Sequence, residues 1–216
     1  MKIIISPAKE LSADAISSQR LPILIDQAKQ LSHASDFKDD THYYEALSLY
    51  NGLQFRYLKA DLQPSDINFL DDHLYILSAL YGPVKPRDGI RPYRKDFKTK
   101  GLYKAWGDAF YQVISQSQEP ILNLASQEFS KTITPYLTSN DTFITCHFFE
   151  ETNEGQCKKH STISKKARGQ LVHWIAKKRI YMIEDVKAFN DMGYHFVESE
   201  SSDNEWVFVR ERMKKD

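Results

Sequence analysis

The chain has 216 residues, of which 41% are hydrophobic and 12% aromatic, enough for one well-buried core and too few for two domains of ordinary size. No apolar run approaches the ~20 residues that span a bilayer, and Met1-Lys2 followed by three isoleucines is no signal peptide, so a single cytoplasmic domain over 1–216 is expected. Twenty-nine Lys and Arg balance 29 Asp and Glu, which by itself argues against a nucleic-acid binder.

Residues 2–5 form a β-branched run that reads as a strand and exits into Ser6-Pro7-Ala8-Lys9. Leu21, Leu24, Ile25, Ala28 and Leu31 recur at helical spacing. Residues 42–58 repeat that spacing but are split by Asn51-Gly52, which predicts two short helices; their aromatics Tyr43, Tyr44, Tyr50, Phe55 and Tyr57 read as core. Ser65 is placed to cap a helix with Asp66 in its first turn. A strand over 74–79 follows, then a basic loop, then a helix over 104–117 with Trp106, Ala109, Phe110, Val113 and Ile114 on one face. Residues 121–125 are a third short strand, and 127–131 are helical.

The segment from Phe143 reads as a hairpin turning at Asn153-Glu154-Gly155, with Lys158, His160 and Thr162 on its return. Ser164 then caps a helix over 165–179, residues 184–189 form a short helix, and 194–198 pair with 206–210. The three apolar strands suit a parallel sheet covered on both faces. The expected fold is therefore α/β, a single domain whose mixed sheet has parallel central strands and C-terminal hairpins flanked by helices. Each strand exits into small polar or cationic residues, namely Ser6 and Lys9, Ser78 and Tyr81, Asn123 and Ser126. These exits can converge on one cleft, where α/β sheets bind ligands, or merely satisfy turn backbones.

Charge is segregated. Residues 85–104 carry eight Lys or Arg against Asp88 and Asp96, net +6, and residues 158–179 carry eight against none, net +8. The rest of the chain is acidic. Two such segments make a local field for an anionic partner, unless they are ordinary solvated faces. In the first, Tyr93 and Tyr103 are spaced among the cations as if to stack on bases. In the second, Lys165, Lys166 and Arg168 would load a helix first turn where the dipole is already positive. A phosphate there would reverse that cost. Lys177, Lys178 and Arg179 lie at the C-terminal end, which the dipole favours, and read as structural.

The chain lacks GxGxxG, P-loop, HExxH, GxSxG and CxxC patterns. Its seven histidines are scattered, and Cys146 and Cys157 read as reduced thiols. No metal or other cofactor is expected. Asp39-Asp40, Asp71-Asp72 and Glu150-Glu151 fall in apparent turns and read as solvated pairs. If a reaction is catalysed, the candidates are Lys9 or Lys166 as the acting amine with Asn123 and Asn190 positioning.

Seven ordered blocks, IISPAK, LSALYGPVKPRDGIRPYR, LYKAWGD, NLASQEFSK, SKKARG, FNDMGYHF and NEWVFVR, resemble the YaaA peroxide-stress-response family. The resemblance covers the first strand and most of the chain from Leu74. It implies a cytoplasmic bacterial protein that limits iron-linked damage during hydrogen peroxide stress and binds duplex or distorted DNA through a basic cleft on an unusual α/β fold, with no settled enzymatic reaction. The positions matching the family's cleft motifs are Lys9, Tyr81, Arg91, Tyr93, Arg94, Asp108, Asn123, Lys165, Lys166, Arg168 and Asn190. Those taken as phosphate- or nucleic-acid-binding are Lys165, Lys166, Arg168, Arg91, Arg94, Tyr93 and Lys9. One departure stands out. The family's helix–hairpin–helix upstream of the 74–79 strand corresponds here to an abbreviated stretch with no glycine between Leu31 and Asn51. The alternative to a DNA-binding protein is an enzyme acting on a nucleotide or phosphorylated small molecule in the same basic cleft; the oligomeric state is left open.

Overall fold

The computed structural model describes residues 1–38, 40–151 and 157–211. In chain order the elements are β1 (Lys2–Ile5), α1 (Ile25–Leu31), β2 (Tyr44–Glu45), α2 (Ala46–Leu49), α3 (Leu53–Leu58), α4 (Pro64–His73), β3 (Leu74–Ser78), β4 (Gly82–Val84) and β5 (Gly89–Ile90). They continue as α5 (Leu102–Trp106), α6 (Ala109–Ser115), β6 (Ile121–Leu124), α7 (Gln127–Ser130), β7 (Phe143–Glu151), β8 (Cys157–Lys158), α8 (Ser161–Lys178), β9 (Tyr194–Phe196) and β10 (Glu205–Glu211).

The main sheet runs β4-β3-β1-β6-β7-β10-β9, with β8 added beside β7. Its five central strands are mutually parallel and its edge pairs antiparallel. β1 is apolar because it is central: Ile3, Ile4 and Ile5 are fully buried between β3 and β6. A strand covered on both faces needs no alternation. The expected α/β architecture is thus observed. What periodicity does not reveal is the second partner of β10, which pairs with β9 on one side and lies parallel to β7 on the other from Glu205 to Glu211. β2 and β5 form a separate two-stranded sheet.

Several boundaries move for identifiable reasons. α1 starts only at Ile25, because Pro22 forms a turn whose carbonyl accepts the Ile25 N–H, and Leu21 and Ile23 point into solvent. α4 is capped by Gln63 and Asp66 reciprocally, with Pro64 at its first position, so Ser65 lies inside it. Pro there costs no hydrogen bond, since that N–H has no helical partner. The expected 104–117 helix breaks into α5 and α6 at Gly107, whose φ of 56° and ψ of −133° suit glycine alone. Residues 184–188 form a 3-10 turn rather than an α-helix.

The return strand of the first hairpin ends at Lys158, so His160 precedes α8 and Thr162 lies within it; the turn at 153–155 lies outside the described residues. Most consequential, α8 begins at Ser161, three residues before the expected cap. Ser164 is a buried residue of its first turns, donating its backbone N–H to the His160 carbonyl. Lys165, Lys166 and Arg168 therefore lie beyond the first turn, where the dipole's field has largely fallen away.

Candidate nucleic-acid interface

β1 sits between β3, the next strand of this sheet in sequence, and β6, with which the strand order turns to the other side. The chain thus has a topological switch point at the carboxyl ends of β1 and β6, the place where open α/β sheets bind ligands. There the Ser126 N–H donates to Ser6 Oγ at 2.8 Å, and the two hydroxyls lie 3.3 Å apart. The turn after β1 is pressed against the α2–α3 junction, where a Cβ on Gly52 would come within 2.8 Å of the Ala8 Cβ. A glycine is needed there because two backbones meet.

Both basic segments reach this end of the sheet. The loop after β5 returns over it, with Lys9 Nζ 3.6 Å from Asp96 and the Phe97 N–H donating to Glu128 of α7 at 3.3 Å. α8 is the crossover from β7 towards the parallel strand β10, so it starts at the carboxyl end and runs back along the sheet. Its N-terminal half, carrying Lys165 and Lys166, therefore lies at the same end as the loop.

Many of the cations are already engaged. The Lys95 side chain is buried and paired with Asp36 at 2.6 Å. Arg91 stacks on Phe37, 4.4 Å from the ring centroid, and donates from Nε to the Asp40 carbonyl. Arg20 joins Asp88 and Asp71 and so neutralises an acid of the loop from outside it. At the far end of α8, Lys177 and Arg179 pair with Asp66. Exposed without an acidic partner among the described residues are Arg94, Lys98, Lys100 and Lys104 of the first segment, and Lys158, Lys159, Lys165 and Lys178 of the second. Lys166 is half-exposed, with its ammonium 5.6 Å from the Tyr57 ring.

Other predicted residues fall elsewhere. Tyr93 is only 8% exposed; its hydroxyl bonds Tyr50 at 2.8 Å and Ser78 at 2.7 Å, and burial pushes its pKa up. It is not open to a base. Tyr103 stacks on Phe97 and donates to the Glu128 carbonyl, so it too is committed internally. Tyr81 is buried and accepts the Arg91 N–H.

Asn123 is buried on β6 with both ends of its amide engaged inside the protein, Nδ2 donating to Thr145 Oγ1 and Oδ1 accepting from the Ala125 N–H. Asn190 is exposed and leads into the turn at 191–193. Asp108 lies between α5 and α6, bonded to Gln112. Lys9 has a side chain 76% exposed, with its ammonium 3.6 Å from Asp96. Arg168 is half-buried; its Nε has no partner among the described residues, and burial lowers its pKa.

Sequence reasoning missed Gln54, a buried residue of α3 whose backbone carbonyl meets α8 at Gly169, because a Gln at a helical core position gives no periodic signal. It also missed Asp36 and Asp66, whose cationic partners lie far along the chain. A broad cleft of about 1080 Å³ does exist, but at the amino end of β6 and β7, lined by Gln112, Gln116, Gln118, Thr138 and Asn140 among others and by no Lys or Arg. It is not the anion-attracting face.

Fold and site together define an α/β protein with a basic surface at the mouth of a parallel sheet. The family model described as Peroxide stress protein YaaA matches residues 27–200. The chain is 36% identical to a UPF0246 protein of Lactobacillus delbrueckii subsp. bulgaricus, covering 96% of this chain and 98% of that one. It is 33% identical to UPF0246 proteins of Desulfitobacterium hafniense, covering 100% of both chains, and of Clostridioides difficile, covering 98% of this chain and 100% of that one. The chain belongs to the peroxide stress protein YaaA family. The Desulfitobacterium alignment runs over 252 positions and so leaves gaps opposite the 216 residues here.

Proposed function

We propose that this peroxide stress protein acts in the bacterial cytoplasm by binding duplex or distorted DNA, and so limits iron-linked damage. One observation carries the reading: two basic segments, separated by more than fifty residues of sequence, are brought to the same end of the parallel sheet. Lys9, Arg94, Lys165 and Lys166 supply phosphate contacts, and Arg91 braces the loop through Phe37 and Asp40. With Tyr93 and Tyr103 turned inward, recognition rests on backbone charge rather than base stacking. Affinity should then fall steeply with salt and depend little on sequence.

The test is fluorescence anisotropy with labelled duplex and bubble DNA across a salt series, comparing wild type with Lys165→Glu/Lys166→Glu. Loss of two phosphate contacts should lower the slope of log affinity against log salt by about 2. Binding that is weak, insensitive to salt and unchanged in the variant would refute the reading.

A further inference from the structure

β6 pairs with β7 only as far as Thr145, and β8 pairs with it only at Glu150 and Glu151. β10 occupies the other edge of β7 from Thr145 to Glu151, so β8 lies on the same edge as β6, in line beyond its carboxyl end. The chain leaving β8 therefore turns back over an uncovered stretch of β7 at the mouth of the parallel sheet. Side chains alternate along a strand, so His147 shares a face with Thr145 and Phe149. Glu205 is in register with Thr145 and shares that face too.

On this face Lys159 Nζ lies 2.9 Å from His147 Nδ1, and His147 Nε2 meets the Glu205 carboxylate. The ammonium also stands over the Phe149 ring, 5.7 Å from its centroid. An ammonium can only donate, so Nδ1 accepts, and the proton of the neutral ring sits on Nε2 and is donated to Glu205. The line of ammonium, imidazole and carboxylate gives the lysine a proton acceptor whose charge, once taken up, is held by Glu205. Serine and cysteine nucleophiles are activated by the same order of groups. Burial, and after it the charge of Arg168, push the Lys159 pKa down, yet the residue remains open to solvent. The neighbourhood is cationic as well. Lys158 is exposed without an acidic partner among the described residues, Arg168 Nε has no partner among them, and Glu205 is engaged by His147. An electrophile that carries negative charge is the one this surface attracts.

We propose that Lys159 is an amine nucleophile that forms an imine with a small anionic aldehyde, with His147 as its proton acceptor and Glu205 as the positioning residue of the ring. The Lys159 ammonium gives one proton to His147 Nδ1, and the freed lone pair attacks the carbonyl carbon. A second nitrogen proton passes to the carbonyl oxygen. His147 then returns its proton to that hydroxyl, which leaves as water while the nitrogen lone pair closes the C=N bond. The product is a protonated imine, and no oxidant or reductant is consumed. This chemistry does not rest on the DNA reading, since it uses none of Lys9, Arg94, Lys165 or Lys166.

The experiment is reductive trapping of the full chain without DNA, using sodium cyanoborohydride at neutral pH with glyceraldehyde 3-phosphate or glyceraldehyde. Peptide mass mapping gives the rate at each lysine, and the exposed Lys178 serves as internal reference. With the phosphorylated aldehyde, Lys159 should be trapped about a hundred times faster than Lys178, the lower end of what a positioned proton-transfer group contributes. His147→Ala should bring Lys159 down to the Lys178 rate while leaving duplex binding unchanged, and Lys165→Glu/Lys166→Glu should do the reverse, so each reading fails separately. In nitrogen-15 NMR, wild-type His147 should hold its proton on Nε2. Glu205→Gln should give a mixture of tautomers together with slower trapping, an effect that a merely structural carboxylate would not produce. Lys159 trapped no faster than Lys178 in wild type, or undiminished in His147→Ala, overturns the proposal. Equal rates at Lys159 with the two aldehydes overturn the preference for an anion, and an unchanged tautomer in Glu205→Gln overturns the role of Glu205.

Discussion

The two ends of α8 carry the same cations in opposite circumstances. At the C-terminal end, Lys177 lies 3.2 Å from Asp61 and 3.3 Å from Asp66, and Arg179 lies 2.8 Å from Asp66. Arg179 even adopts φ 55° and ψ 50°, the left-handed conformation that usually falls to glycine at this point of a helix. In the N-terminal half, Lys165 and Arg168 have no acidic partner among the described residues. Both ends carry two lysines and an arginine, and the difference comes from Asp61, just after α3, and Asp66 in α4, more than a hundred residues away, which pair with Lys177 and Arg179 and leave only Lys178 to solvent. A run of lysines becomes a binding surface only where the fold withholds its counter-charges.

The strongest way to break this contrast is to push α3 off α8. Gly169→Ala should otherwise help a helix by up to about 1 kcal/mol, so a net loss isolates the close contact with Gln54. Overpacking of this kind should destabilise by about 3 kcal/mol, read as a lowered midpoint in thermal or urea unfolding. An unchanged midpoint would mean that the two helices do not approach as closely as described.

A smaller effect is expected from removing the acid at the quiet end. Asp66 is 4% exposed and accepts the Gln63 N–H at 2.8 Å besides its two cations. Asp66→Asn should cost about 1.5–3 kcal/mol, the worth of hydrogen bonds to a charged group, without altering DNA affinity. The pH dependence has a definite sign. Burial alone would raise the Asp66 pKa, but the Gln63 N–H, Arg179 and Lys177 outweigh it and hold the pKa below the usual carboxylate range. Its stabilising contribution is therefore present above the unfolded value of about 3.9 and fades as pH falls from there through the folded value. Urea unfolding from pH 6 down to pH 3 should show a shallower loss in Asp66→Asn than in wild type, and parallel curves would contradict the pairing.

The contrast also shows what the sequence makes legible. β1, β3 and β6 are readable as buried strands because a strand covered on both faces is a continuous apolar run, and the polar exits Ser6 and Ser126 do meet. The two basic segments are readable from charge alone. Their neutralisation is not, because Asp66 meets Lys177 across 111 residues and Asp36 meets Lys95 across 59. Tyr93 looked available because Pro and Lys neighbours suggest solvent, yet the loop folds it onto Ser78 and Tyr50. The start of α8 is ambiguous in the sequence because Ser164 looks like a cap, whereas the residue that precedes the helix is His160, whose side chain makes no capping hydrogen bond and so gives no signal.

That last ambiguity yields the smallest and most diagnostic effect. If α8 began after Ser164, Lys165 and Lys166 would oppose the helix dipole, and Lys165→Glu/Lys166→Glu would remove two unfavourable charges and add two favourable ones. The gain would be about 1 kcal/mol or more at low salt. With α8 beginning at Ser161, both residues sit past the first turn, and an exposed substitution there should change stability by less than about 0.5 kcal/mol. The same variant is the one expected to lose DNA. Unchanged urea unfolding together with lost, salt-dependent binding would mean that the fold has little use for these lysines and that their charge serves a partner, whereas a stabilised variant would place them back at the helix start and make a bound anion, not the hairpin, the reason they are tolerated.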